Sequence, residues 1–179
     1  MKLVAPNDPI LTIPCPQFNF QDPPVDPIEL AQSMVGFMYD NNGLGLAANQ
    51  VGLSYRMFVM RGHPENFACF NPRIVHQDEE LVSMEESCLS FPGLVVKVKR
   101  SKSIRARFTM ANGETRTEAF NGMSARVFLH ELDHLNGELF FNKANRYHRD
   151  NAMRKWKRGE VSSIYVKPSI GEYGEHILR

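Results

Sequence analysis

The chain has 179 residues, a length at which one core buries roughly 70% of the unfolded chain's surface, so a single domain spanning 1–179 is expected. Hydrophobic and charged fractions of 42% and 23% sit near globular averages and exclude disordered, collagen-like and coiled-coil readings. With 21 Lys and Arg against 20 Asp and Glu, the formal net charge is +1, and bulk charge therefore points to neither a nucleic-acid binder nor a membrane-surface protein.

The N-terminal stretch meets Pro6 and Asp8 before any apolar run, so neither a secretory signal nor a transit peptide is expected. No apolar run approaches the roughly 20 residues needed to span a bilayer. Cys15, Cys69 and Cys88 are an odd set without paired spacing, which argues for a reducing compartment and a cytoplasmic address. Residues 6–27 hold seven of the eleven prolines and should run extended over the surface with few ladder bonds.

Asp26-Pro27-Ile28-Glu29 reads as an N-cap, a first-turn proline and a capping-box Glu, with Leu30, Met34, Phe37 and Met38 at helical spacing, so a helix is expected over about 27–41. Asn41-Asn42-Gly43 should end it, because Asn and Gly accept left-handed backbone. Short β-prone runs follow at Arg56–Arg61, Phe67–Val75, Leu94–Lys99, Ser103–Met110 and Thr115–Phe120, with Asn112-Gly113 as a hairpin turn. A second helix, capped by Ser124, should run through Leu135 and stop at Gly137. The order helix, strands, helix predicts an α+β fold: antiparallel or mixed sheets packed around the second helix, with the first helix at the N-terminal side. A basic extension, 143–179, carries seven Lys or Arg between Lys143 and Arg158 against one acid, Asp150. Its first reading is a solvated helical face; the other is a dock for an anionic surface such as ribosomal RNA.

Three strings carry chemistry. In His130-Glu131-Leu132-Asp133-His134 the imidazoles stand at i and i+4, about 40° apart around a helix, so both reach one metal ion. Glu131 lies on the same side and suits a general base. A catalytic metal usually takes three protein ligands, yet Leu135-Asn136-Gly137-Glu138 supplies no third His. Upstream, Glu86-Ser87-Cys88-Leu89-Ser90 offers a thiolate that would complete the set, although a lone Cys also serves as a small buried hydrophobe. The third string, Gly43-Leu44-Gly45-Leu46-Ala47-Ala48-Asn49-Gln50, brings backbone close to a ligand and ends on an amide. It follows a helix rather than a strand and lacks a P-loop Lys, so a phosphate cradle is not expected.

In this order the three strings resemble the motifs of the peptide deformylases, Gly-x-Gly-Leu-Ala-Ala-x-Gln, Glu-Gly-Cys-Leu-Ser and His-Glu-x-Asp-His. The resemblance covers residues 3–142, with Ser87 in place of a glycine. It implies hydrolysis of the N-formyl group from the initiator methionine of new polypeptides, releasing formate. It also implies Cys88, His130 and His134 as metal ligands, Glu131 as acid/base, and Gln50 with the Leu89 N–H as oxyanion donors. Leu44, Gly45 and Glu86 would contact an extended substrate. Fe2+ would be the resident metal, with Zn2+, Ni2+ or Co2+ able to substitute.

Two departures bear on this expectation. A positive φ at position 87 would strain Ser87, and residues 94–99 lack an arginine to pair with Glu86. Leu129 stands where many deformylases have Gln, a change expected to matter little. Rival classes are an endopeptidase whose metal Cys88 does not touch, and a binding module without catalysis.

Overall fold

The computed structural model describes residues 1–160; the end of the basic extension, 161–179, lies outside them. Three helices, α1 (Pro27–Asp40), α2 (Gly122–Leu135) and α3 (Arg146–Lys157), accompany seven strands. These are β1 (Gly45–Ala47), β2 (Met57–Met60), β3 (Phe67–Gln77), β4 (Leu81–Cys88), β5 (Phe91–Ser101), β6 (Ser103–Thr109) and β7 (Thr115–Asn121). The fold is α+β. Strands in the order β1-β2-β3-β6-β7 make an antiparallel sheet, and β4 with β5 makes a separate two-stranded one.

The large sheet is covered on both faces, and β2 shows how. Its four residues are all buried; Met57 and Val59 pack toward Met34 and Met38 of α1, whereas Phe58 and Met60 pack toward Phe128 and Leu132 of α2. Period-2 alternation thus serves two cores, and the strand reads as a continuous apolar run. The small sheet builds a third core from Leu94, Val96 and Val98 with Leu11 and Phe140. α3 lies on β5, where the Trp156 Nε1–H donates to the Pro92 carbonyl at 2.9 Å.

Most expected elements form close to their expected bounds. The Asp26 side chain accepts from the Ile28 and Glu29 amides and starts α1, and Asn42 takes φ 55° beyond its end. The second cap differs: α2 starts at Gly122 after Asn121, which makes no side-chain cap bond, so Ser124 sits inside the first turn. Gly122, at φ 54°, lets β7 turn straight into the helix. Two strands were not expected. β1 is three residues inside the Gly-rich string, and β4 alternates exposed with more buried residues without a matching polar-apolar alternation in its sequence. The proline-rich arm has few ladder bonds but does not stay on the surface, since Leu11, Cys15 and Phe18 are buried in three different cores. Phe18 is pinned through Asn71, whose Oδ1 accepts from its N–H and whose Nδ2 donates to its carbonyl. Among the described residues no helix is long and apolar enough to cross a membrane.

Candidate active site and metal centre

Arg126, His130 and His134 stand four residues apart on α2, so they share one helix face. That face looks at the end of β4, where strand alternation turns Glu86 and Cys88 inward and Glu85 and Ser87 outward. The ligand-capable atoms of Cys88, His130 and His134 lie within 4.8 Å of one another. Cys88 Sγ is 3.2 Å from His134 Nε2, and both imidazoles are buried. His130 turns its Nδ1 to Glu86 Oε2 at 3.0 Å, which leaves Nε2 for the cluster. A cysteine sulfur and two imidazoles held this close fit a borderline divalent cation such as Fe2+ or Zn2+.

A cavity of roughly 500 Å³ opens onto the cluster. Leu44, Gly45, Gln50, Glu86, Cys88, Leu89, His130 and Glu131 all line it, and His134 sits deeper. Gln50 follows β1 in a short 3-10 turn, Ala48–Val51. Its Oε1 accepts from the Ala47 N–H at 2.8 Å, and its Nε2 donates to Cys88 Sγ at 3.3 Å and to Ser90 Oγ at 3.0 Å. Both amide hydrogens are therefore engaged. Leu89 lies in the turn from β4 to β5, and no turn or loop bond uses its N–H among the described residues. Ser87 has ordinary extended backbone, because the non-glycine residues with positive φ among those described are Asn42 and Asn71. The substitution introduces no strain and adds a hydroxyl at the cavity mouth.

Glu131 is buried beside the cluster with its Oε2 unpartnered. Burial pushes its carboxyl up to about 7, with the nearby His130 pulling the other way. Gly45 explains how the carboxylate fits: a Cβ built there would lie 2.5 Å from Glu131 Oε1. The first function of this glycine is thus to admit the acid/base candidate.

Glu86 has a different environment. Arg100 donates to it through Nε and Nη2 at 2.6 and 2.9 Å, and Arg126 through Nη1 at 2.8 Å. Burial alone would raise its pKa, but the hydrogen bonds from His130 and Arg100 hold it well below the usual carboxylate range. Arg100 reaches on to Asp133 Oδ2 at 2.7 Å, so the missing partner of Glu86 is supplied twice, from just beyond residue 99 and from α2. Arg100 was legible in principle: it keeps the inward parity of Val96 and Val98 on β5, and a strand ended at Lys99 cuts it off. Arg126 was legible as the residue four before His130. Asn49 is a third omission, a fully buried amide whose Nδ2 donates to the His134 carbonyl at 2.6 Å. It sits at a variable position of its motif and gave no signal.

With this geometry in place, the likeness to known proteins is specific. The polypeptide deformylase family model matches residues 1–150. The chain belongs to this family. A peptide deformylase of Thermotoga petrophila is 46% identical over 112 residues, 63% of this chain and 68% of that one, and one of Afipia carboxidovorans is 35% identical over 83% and 93%. The crystal structure of peptide deformylase from Thermus thermophilus superposes with a TM-score of 0.81 at 33% identity, covering 91% and 96%. Peptide deformylases are hydrolases that remove the N-formyl group from nascent peptides, and by family this chain is a hydrolase of that kind.

Proposed function

We propose that this enzyme hydrolyses the formyl group of N-formyl-methionyl chains, with formate and a free amino terminus as products. The reading is carried by one observation: a cysteine sulfur and two imidazoles converge within 4.8 Å beside a buried carboxylate whose Oε2 has no partner. Cys88, His130 and His134 would hold a divalent cation, Fe2+ by family resemblance. When bound, such an ion polarises the formyl carbonyl and makes water more acidic.

The remaining chemistry belongs to the side chains. Glu131 takes a proton from the attacking water as its oxygen bonds to the formyl carbon. It then delivers that proton to the nitrogen as the C–N bond breaks. A carboxyl titrating near 7 suits both halves, since it holds and releases a proton at neutral pH. The Gln50 amide and the Leu89 N–H meet the developing oxyanion, and each such donor is worth about 3 kcal/mol. Gln50 would become available by giving up its 3.3 Å contact to Cys88 Sγ, a sulfur that would serve a bound cation instead. The walls at Leu44 and Gly45 receive the peptide in extended form. Specificity for formyl would come from a pocket too narrow beside the metal for larger acyl groups.

An endopeptidase reading needs Cys88 apart from the histidines, against the 3.2 Å from its Sγ to His134 Nε2. The decisive assay is formate release from formyl-Met-Ala, with Fe2+ anaerobically or Ni2+ in air. Release that disappears in Glu131→Ala supports the reading; no release from metal-loaded wild type overturns it.

The cytoplasmic address follows from the nascent-chain substrate and unpaired cysteines. α3 turns Trp156 toward β5 and leaves Arg154, Lys155 and Lys157 exposed, a surface suited to ribosomal RNA. Arg154→Glu with Lys155→Glu should abolish co-sedimentation with ribosomes at low salt, and unchanged sedimentation removes this dock.

A further inference from the structure

Glu86 accepts four hydrogen bonds: Oε1 takes Arg100 Nε and Arg126 Nη1, and Oε2 takes Arg100 Nη2 and His130 Nδ1. A carboxylate offers about four acceptor positions, so none is left for a substrate. Its oxygens therefore serve the protein, as the anchor of the His130 ring. Three of the four bonds come from His130 and Arg100. The fourth comes from Arg126, a residue outside the three motifs.

Arg126 is buried on α2, one turn before His130 and on the same face. Beyond Glu86, its Nη1 donates to the Val98 carbonyl at 2.9 Å and its Nη2 to the Val82 carbonyl at 2.6 Å. It thus ties the Glu86 carboxylate to β4, to β5 and to the metal-binding helix at once. Charge gives a second reason for its presence. Arg100 is shared between Glu86 and Asp133, one guanidinium for two buried carboxylates. Asp133 also has Lys143 Nζ 3.6 Å from its Oδ1, whereas Glu86 receives from Arg126 a guanidinium that it does not share with Asp133.

We propose that Arg126 is a positioning residue that acts through Glu86 to fix the orientation of the His130 imidazole. A ring held by a carboxylate on one nitrogen presents the other to a metal in one direction only. Arg126 adds a hydrogen bond to Glu86 Oε1 from the same helix that carries His130, which ties the carboxylate to the ring it orients. The activity arm of the test rests on the deformylase reading; the metal arms do not.

The test compares wild type, Arg126→Met and Arg126→Lys, each purified, loaded with Co2+ and also assayed with Ni2+. In Arg126→Met, metal affinity measured by chelator competition should fall 10–100-fold, and the visible absorption of bound Co2+ should shift. For formyl-Met-Ala, kcat should fall while KM stays within about twofold, and Arg126→Lys should recover part of kcat. A Met variant with a lower Tm but unchanged Co2+ spectrum and affinity would make Arg126 a staple between α2 and the small sheet, and would overturn the proposal. A rise in KM at constant kcat would make it a substrate contact and overturn it equally. Should the Met variant fail to fold, the Co2+ spectrum and affinity of the Lys variant decide in the same way, because Lys keeps the charge but loses the three-way fork. A wild type that releases no formate, with a spectrum that still shifts in the variants, would end the deformylase reading and leave Arg126 in the role proposed.

Discussion

α2 has two buried faces made by opposite physics. One presents Ala125, Phe128, Leu132 and Leu135 to the five-stranded sheet, where Phe58 and Phe128 meet edge to face at 5.0 Å. The other presents Arg126, His130 and His134 to β4 and β5, with Glu86, Arg100 and Asp133 completing a charged network. The apolar face is non-directional, so its contribution scales with area and tolerates repacking. The polar face brings at least four ionised groups out of water, and its partners must all be present for it to be tolerated. Stability thus comes chiefly from the first face and atomic placement from the second.

Substitutions on each face sharpen this contrast. The largest effect belongs to Glu131→Gln, which keeps the shape of the side chain and removes its proton transfer. Turnover should fall about 10²–10⁴-fold with no loss of Tm, and a lowered Tm would show that the carboxylate also supports the fold. On the proposed mechanism the same group should set the acid limb of the wild-type pH profile. A carboxyl raised to about 7 is ionised above that pH, so kcat should decline as pH falls. Because a bound cation favours the ionised form, the limb should stand at or below pH 7 in the loaded enzyme; a limb well above 7 would assign the base elsewhere.

Phe128→Ala should lower stability by about 3–5 kcal/mol and leave kcat per folded molecule nearly unchanged. Glu86→Ala should cost a similar amount, about 3–5 kcal/mol, because two guanidinium groups lose their shared partner, but it should also lower metal affinity. If chemical denaturation and metal titration show the two variants behaving alike, the division between faces fails. Glu86 adds a sign of its own. Its folded pKa lies below the unfolded value, so its contribution is complete above about pH 4.5 and disappears as pH falls further. Gly45→Ala should follow, with turnover down about 100-fold, since a Cβ 2.5 Å from Glu131 Oε1 displaces the carboxylate from its working position. The smallest effect is expected at Lys102, whose pair with Glu80 is open to solvent on both sides. Lys102→Ala should leave Tm and kcat unchanged.

Much of this protein is readable along the chain because the signals are local. The cap and spacing at 26–38 specify α1, the spacing 130–134 puts two imidazoles on one helix side, and the alternation in 103–109 and 115–121 makes a hairpin. β1 and β4 escaped because one is three residues long and the other carries charge at an exposed edge; each is a strand only because a neighbour completes its ladder. Cys88 illustrates the same limit at the site, since a lone cysteine is more readily read as a small buried hydrophobe than as a thiolate ligand.

Ligand-type residues, the helix that presents two of them, and the family follow from the order of the amino acids alone. The partners of Glu86 do not: Arg100 and Arg126 come from β5 and α2, 14 and 40 residues away. Nor does the reason position 45 must be glycine, which is the carboxylate of Glu131, far along the chain. Periodicity and capping act over a few residues and are written in sequence, whereas ion pairing and close approach depend on distances that exist only once the sheets and helices have packed.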